Sequence, residues 1–450
     1  MGEFFGMLHY RAKNILTLDA DIPQITSVTR TYGCCGVSEE TDRDGVTTTY
    51  AYDEFKRVSH TVRDGITTLY SYDALGNQTS VTVKGRNDAE ITTSSTYSDG
   101  ELASATDALG NVTAYTRTYA ADGDNTTYTE TVTKPDGSTQ ITVSVNGQQV
   151  STSGTAVHGQ TFEYGPNWQK VMPQNQTVYT DLLGRNFKTE YADGTHSMNY
   201  YNLKNQLVKS VTPGGVVTLY SYDNLGRQIS QAIDMNRNGE IDAADLVTST
   251  AYSYGTQNGK TVSITTQTRS QGANNAVISV KKQSVDGLES WQTDLNGLTT
   301  HTKLERLGGG NTRQTVTNPD GTKVVTNSNN GRVITVQNIN SDGTNGNLIT
   351  YSYDEFDRQT GMTQAENGIV FTTSAMTYNA AGQPLTQTVN GRTTNIVYDV
   401  INRTKTVTLP GNRTVTEIYH PTGELQRVSG ADTYTQEWVV SGFLRTFDSD

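Results

Sequence analysis

A short motif returns along this chain at a fixed beat. It is an aromatic residue, then Asp or Asn, two further residues, Gly, and Arg, Asn or Gln. Tyr52–Arg57 reads YDEFKR, Tyr72–Asn77 YDALGN, Tyr222–Arg227 YDNLGR and Tyr353–Arg358 YDEFDR. Looser copies stand at Asp107–Asn111, Asp181–Arg185, Tyr201–Gln206, Tyr378–Gln383, Tyr398–Arg403 and Tyr419–Glu424. Neighbouring tyrosines lie 20 or 21 residues apart, as from Tyr52 to Tyr72, Tyr201 to Tyr222 and Tyr378 to Tyr398. A period of this size means a stack of like supersecondary units, each unable to bury its apolar face alone.

A second turn falls between the copies: Asp64-Gly65, Asp193-Gly194, Pro213-Gly214-Gly215, Asn390-Gly391 and Pro410-Gly411. Asp-Gly and Asn-Gly supply the positive φ of tight hairpins. Between turns the chain alternates with period two. ITTLYSY from Ile66 places Ile66, Thr68, Tyr70 and Tyr72 on one face, and VVTLYSY from Val216 repeats the register, which predicts half-buried strands. Helical periodicity is absent. The unit is therefore turn, strand, tight turn, strand, and the fold class is all-β: antiparallel hairpin repeats forming a spiralling sheet, shell or barrel. Within the longer turn, Asp53 or Asp223 is placed to accept backbone N–H groups. Gly76 or Gly226 supplies the left-handed residue. Arg57, Arg227, Arg358 and Arg403 reach neighbouring acids or carbonyls, and Tyr stacks on the next repeat. Residues 160–177, with Pro166, Trp168 and Pro173, read as a longer loop or crossing segment, and Leu304–Asn311 as a flexible turn. The expected division is a lead-in at 1–46, one repeat domain at 47–430, and a strand segment at 431–450.

Composition agrees. Only 33% of residues are hydrophobic, against about 45–50% in an ordinary globular domain on a slightly broader set. The 25 tyrosines and the abundant Thr and Val suit a pleated, half-buried surface rather than disorder. A net charge of −12 without a Lys/Arg cluster excludes nucleic acid as a partner. No apolar run is long enough to span a membrane, and Met1–Tyr10 lacks the pattern of a signal peptide. The adjacent Cys34 and Cys35 build neither a disulfide framework nor a tetrahedral metal site; they read as a small apolar pair within a strand.

These repeated Y-D-x-x-G-R copies, with Asp-Gly turns between them, resemble the YD-repeat or RHS-repeat family over about Thr47–Gly430. The family includes bacterial Rhs toxins, shell components of insecticidal toxin complexes, and teneurins. The resemblance implies a β-strip wound into a hollow shell. In the toxins the shell encloses a polypeptide, and in teneurins it is an extracellular recognition scaffold. The acid-containing segment that closes such toxin shells is not found near Asp450, so autoproteolysis and toxicity are not carried over.

The strongest local motif is Asp234–Asp245, DMNRNGEIDAAD. Read as a twelve-residue calcium loop, it offers Asp234, Asn236 and Asn238 at positions one, three and five. Gly239 stands at the sharp turn, the Glu240 carbonyl at seven, Asp242 at nine and Asp245 at twelve, with Ile241 packing inward. Hard Ca²⁺ takes six to eight oxygens at such spacing. Asp in place of the usual twelfth Glu resembles dockerin-type loops. Calcium here would be structural, and a weak site would fill in the millimolar calcium of a secreted or cell-surface setting.

No catalytic motif is present: there is neither G-x-S-x-G nor H-E-x-x-H, and the six histidines are scattered. Three readings follow in order. The first is a structural or encapsulating scaffold of a secreted bacterial protein, with an enclosed polypeptide as partner. The second is an extracellular module binding a surface glycan, with Trp168, Trp291 or Trp438 stacking on sugar. The third is a carbohydrate-active enzyme such as a polysaccharide lyase, for which Tyr/His pairs near His196 and His420 are the candidates.

Overall fold

The computed structural model describes residues 28–430, together with the strands Thr435–Trp438 and Leu444–Asp448 without their side chains. Met1–Tyr10, His9 and the side chain of Trp438 therefore lie outside the described residues. The described chain is one 38-stranded sheet without a helix. It begins at Thr29–Tyr32, and each strand pairs antiparallel with the strands before and after it in sequence. The outermost strands do not pair with each other, so the sheet is open.

The turns at Asp53, Asp73, Asp181, Asp223 and Asp354 are built alike, whereas Asp399 binds the N–H and side-chain amide of Asn402. Asp73 Oδ1 accepts the N–H groups of Leu75 (2.9 Å) and Asn77 (2.8 Å), and its Oδ2 accepts the Asn77 amide at 2.9 Å. Where the sixth residue is Arg, its Nε takes the Asn role, as in Arg57 to Asp53 at 2.7 Å and Arg185 to Asp181 at 2.7 Å. The fifth residue has positive φ: Gly76 (92°) and Gly226 (82°), but also Lys56 (64°) and Asp357 (67°). The tyrosine contacts the preceding repeat, not the following one as its sequence position suggested. Tyr72 donates its hydroxyl to Val58 O at 2.9 Å, beneath the guanidinium of Arg57, which lies 4.5 Å from the ring centroid. Tyr222 reaches Leu207 O at 2.7 Å in the same way.

The expected alternation holds in Ile66–Tyr72, where Thr68, Tyr70 and Tyr72 are half-buried between exposed Leu69 and Ser71. A feature without sequence warning is a bulge at most such turns, though not at Asp107 or Asp399. Tyr72 faces Gln78 while Ser71 faces Ser80, so Thr79 has no counterpart. Shifts recur at Ala51/Tyr52, Ser221/Tyr222 and Ser352/Tyr353. A regular extra residue bends and twists the strip in one sense.

That curvature brings the strip back onto itself. Successive turns alternate between two rims. A first set of turns at 42–46, 64–65, 85–89, 134–138 and 154–159 meets turns of the opposite rim one circuit later. Arg306 Nε donates to Asp44 Oδ1 at 2.8 Å, and Arg403 Nη1 to Asp136 Oδ2 at 3.1 Å; His158 Nε2 lies 2.6 Å from Glu424 Oε1. Asp64, Arg86, Asp357 and Arg332 close a ring of four ion pairs. Arg86 is 2.5 Å from Asp64 and 2.8 Å from Asp357, and Arg332 is 2.7 Å and 2.6 Å from the same two carboxylates. Partners across the seam are 262 to 271 residues apart in sequence. In every case twenty-three strands lie between the facing turns, for example Thr47–Tyr52 through Thr299–Gly308. Glycine permits the approach: a Cβ on Gly85 would lie 2.6 Å from Glu355 Cγ, and one on Gly45 would lie 3.3 Å from Gly309 N.

A single-layer wall has little interior. The buried apolar side chains among the described residues are few, and Leu219, Ala232 and Val247 form their cluster, with Val217 and Ile241 against it. Three local expectations are corrected. Residues 160–177 are no loop: Gln160–Gly165, Trp168–Met172 and Gln176–Thr180 are ordinary strands, with Pro166 and Pro173 confined to the turns, where no ladder N–H is required. Cys34 and Cys35 form the first turn, closed by Gly33 N–H to Gly36 O at 2.9 Å, rather than a strand. The triple glycine Gly308–Gly310 is a tight seam turn, all three at positive φ.

Candidate metal centre

The Asp234–Asp245 loop joins the strands Gln228–Ile233 and Leu246–Gln257. Ile241 folds back onto Leu219, Ala232 and Val247, so the loop hangs from the best-packed apolar cluster of the wall. Asp234 is anchored by its N–H to Val217 O at 3.0 Å. Its Oδ2 accepts Gly239 N–H at 3.0 Å, with Gly239 at φ 81°. Asp245 is fully buried; its Oδ1 accepts Met235 N–H at 2.9 Å and its Oδ2 accepts Asp242 N–H at 3.1 Å. Further out, Asn236 Oδ1 accepts Asn238 N–H at 3.1 Å, and Asn238 Oδ1 accepts Glu240 N–H at 2.8 Å. Both amide Nδ2 groups converge on Asp242 Oδ2, at 2.9 and 2.6 Å. Those amides and the Ala244 N–H hold the Asp242 carboxyl below the usual carboxylate range. The Glu240 side chain is exposed.

Thus the fold gathers Asn236, Asn238 and Asp242 at the outer lip and buries Asp234 and Asp245 at the base. It does not draw three acidic side chains into one cluster: among the described residues no group of three or more His, Cys, Asp or Glu has that arrangement. The fit to a cation rests on the base. Asp234 Oδ1 is buried with no hydrogen-bond partner. Among the described residues no Lys, Arg or His pairs with Asp234 or Asp245. Two buried carboxylates without a cation are costly, and a hard ion with oxygen ligands answers that chemistry.

Catalytic constellations fare otherwise. Tyr419 donates its hydroxyl to Glu417 Oε2 at 2.6 Å, and that carboxylate pushes the phenol up to about 12, away from the range of a proton-abstracting base. His196 is exposed on its strand. Trp291 is buried and stacked on His301 at 4.8 Å, so it presents no face to a sugar, and Trp168 is half-buried beside Gly165. Among the described residues no helix is long and apolar enough to cross a membrane.

The RHS Repeat family model matches residues 201–238. No curated protein matches the chain. Among solved structures, the chain is similar to the Photorhabdus luminescens Tc holotoxin pore at 12% identity and a TM-score of 0.44, over 91% of this chain and 26% of that one. It is similar also to TcdB2-TccC3 at 11% identity and 0.41, over 92% and 30%. The chain thus spans between a quarter and a third of the length of these proteins. The match at 201–238 takes in two Tyr-Asp-type turns, Asn202–Gln206 and Asp223–Arg227. The turn construction found within that match recurs along the sheet, at Asp53, Asp73 and Asp354 among others.

Proposed function

We propose that this β-repeat scaffold is the wall of a shell that encloses a polypeptide, in a secreted bacterial protein, and that calcium closes its longest turn. The twenty-three-strand circuit carries the reading. At about 4.8 Å per strand the circumference is about 110 Å. Eight-stranded barrels are filled by their own side chains, and those of sixteen or more strands leave an aqueous lumen. With the described wall one sheet thick and few side chains buried, the bore is too wide for the wall to fill. The low apolar content suits a solvated, unfolded guest rather than a packed one. Small-angle scattering of the whole chain tests this: the expected pair-distance distribution is that of a hollow particle, and a solid-sphere profile would overturn it.

Asp234, Asn236, Asn238, Asp242 and Asp245, with the Glu240 carbonyl, are the oxygens offered to Ca²⁺. The ion would neutralise the buried base and fix the register of the longest turn. Binding to the folded state alone stabilises it by about 2.7 kcal/mol at one hundred times Kd. Calorimetric titration with CaCl₂ and melting in calcium against chelator are the tests. A rise in Tm that Asp245→Ala abolishes is expected; no heat and no shift at millimolar calcium would reject the site.

A further inference from the structure

Away from the Asp234–Asp245 loop, a dense set of titratable side chains lies on one face of the strands Lys260–Gln271, Asn274–Ser284, Glu289–Thr293 and Thr299–Gly308. The register sets Val262 opposite Ser284, and Trp291 between Lys282 and His301. Val262 is fully buried, and Ser284 and Trp291 are 3% and 5% exposed, so the floor of this face is dry. Over it, Lys260 Nζ lies 3.3 Å from Asp286 Oδ2 and 2.8 Å from Glu289 Oε1. His301, stacked on Trp291, holds Glu289 Oε2 from the other side at 3.1 Å. Asp286 Oδ1 accepts the Ser284 hydroxyl at 2.5 Å and the Leu288 N–H at 2.8 Å. One carboxyl thus has an amine at one oxygen and two donors at the other, and a second carboxylate touches that amine.

We propose that Lys260 and Asp286 join in an isopeptide bond that the chain forms by itself. Holding an amine against a carboxyl raises its effective concentration to on the order of 10⁵ M. The hydrogen bond from Nζ to Oδ2 moves a first proton and leaves a neutral amine beside a neutral carboxyl. The Nζ lone pair then attacks Asp286 Cγ, and charge gathers on Oδ1, where Ser284 and Leu288 donate. Nζ sheds a second proton to Glu289, which returns it to Oδ2. The Cγ–Oδ2 bond breaks with its electron pair, and that oxygen departs as water with both protons. Ammonium and carboxylate become amide and water, and no oxidant, cofactor or outside acid is consumed.

At rest, Glu289 and then Asp286 hold the Lys260 ammonium above its usual range. Against the burial that opposes it, Ser284, Leu288 and Lys260 hold the Asp286 carboxyl below its own. The pair therefore rests as ions, and the bond forms slowly, as a maturation after folding. The adjacent backbone is kept from competing: the Gly287 N–H, whose nitrogen would close a succinimide on Asp286, is committed to Ser284 O at 2.9 Å. Lys303, opposite Glu289 on the next strand, is paired with Glu305. The cross-link ties the first residue of Lys260–Gln271 to the turn beyond Asn274–Ser284, across the strand between them. It depends on neither calcium nor an enclosed guest.

The experiment is intact mass spectrometry of the whole chain, held at neutral pH for days after purification. A fall by the mass of one water is expected, with a branched peptide joining Lys260 to Asp286 after digestion. The loss is expected to persist in hydroxylamine, which opens a succinimide and leaves an amide intact. Glu289→Gln and Lys260→Arg, with folding checked by circular dichroism, are expected to keep the full mass. Ser284→Ala is expected to slow the loss on the order of a hundredfold. A wild type that keeps its full mass would overturn the proposal. So would water lost without the branched peptide, or a loss that Glu289→Gln leaves unchanged.

Discussion

Tyr52–Arg57 and Tyr353–Arg358 differ at one residue of six, Lys56 against Asp357, and their interiors are the same. Asp53 and Asp354 each accept two N–H groups at 2.9 Å, and each pairs with the Arg Nε, at 2.7 and 2.6 Å. Each Arg lies over its own Phe, at 5.0 and 5.2 Å, and over the next tyrosine. Lys56 and Asp357 share a left-handed backbone. Yet the first turn stands on a bare rim, with Phe55 69% exposed, and the second is locked between Arg86 and Arg332. The turn is thus a self-sufficient local unit. Its place in the circuit decides whether it docks, and at the seam Asp357 supplies the carboxylate that Lys56 lacks.

The largest test exchanges that side chain. Asp357→Lys sets a third cation beside Arg86 and Arg332 and leaves two partly buried guanidiniums short of a carboxylate. The urea midpoint is expected to fall, equivalent to about 1–3 kcal/mol, while the reciprocal Lys56→Asp stays within about 0.5 kcal/mol. Equal effects at the two turns would erase the distinction between rim and seam. Glycine separates strain from docking next. Lys56→Gly relieves positive φ and is expected to stabilise by about 0.5–1 kcal/mol, whereas Asp357→Gly gains the same relief, loses the ion pairs, and shows a net loss by the same denaturation assay. Tyr72→Phe and Tyr378→Phe remove hydroxyl donors to Val58 and Gln359 carbonyls. Each is expected to cost about 1 kcal/mol, and since the bond belongs to the turn itself, the two losses match.

The smallest effect is in acid. The Asn77 amide and neighbouring N–H groups hold the Asp73 carboxyl below the usual range, and Arg185 does the same for Asp181. A carboxyl depressed in the fold lends stability above its unfolded value, near about 3.9, and loses it as pH falls through the lower folded value. Urea midpoints are therefore expected to be level from neutral pH down to about 5 and to drop below about 4. Asp73→Asn takes one turn out of that titration and shallows the drop slightly.

The hairpins were legible because their causes are local. Asp-Gly supplies φ, Asp caps the turn, and tyrosine spacing marks the period. The bulge at Thr79 had no composition signal, since the register depends on the partner strand. Pro166, Trp168 and Pro173 suggested a loop because prolines within a dozen residues obscure three short strands whose two turns they occupy. The seam was hidden for a different reason. Asp64 reads as one more hairpin aspartate, and its partner Arg332 is 268 residues away. The one available hint was the Lys56/Asp357 exchange between otherwise matching hexapeptides. At the Asp234–Asp245 loop the spacing of oxygens was readable, but the burial of Asp234 and Asp245 was not, since it depends on Leu219, Ala232 and Val247 around the base.

The twenty-three-strand circuit also bears on how such a chain can change size. Hairpins are gained and lost in pairs of strands, so an odd circuit stays odd and turn apex still faces turn apex across the seam. A hairpin added inside the circuit, however, either widens the bore by about 10 Å of circumference or slides every later partner one place round, setting Asp64 and Asp136 against the wrong neighbours. Added beyond the last seam contact, it disturbs none of them. Length is free to drift in a protein of this build; girth is not.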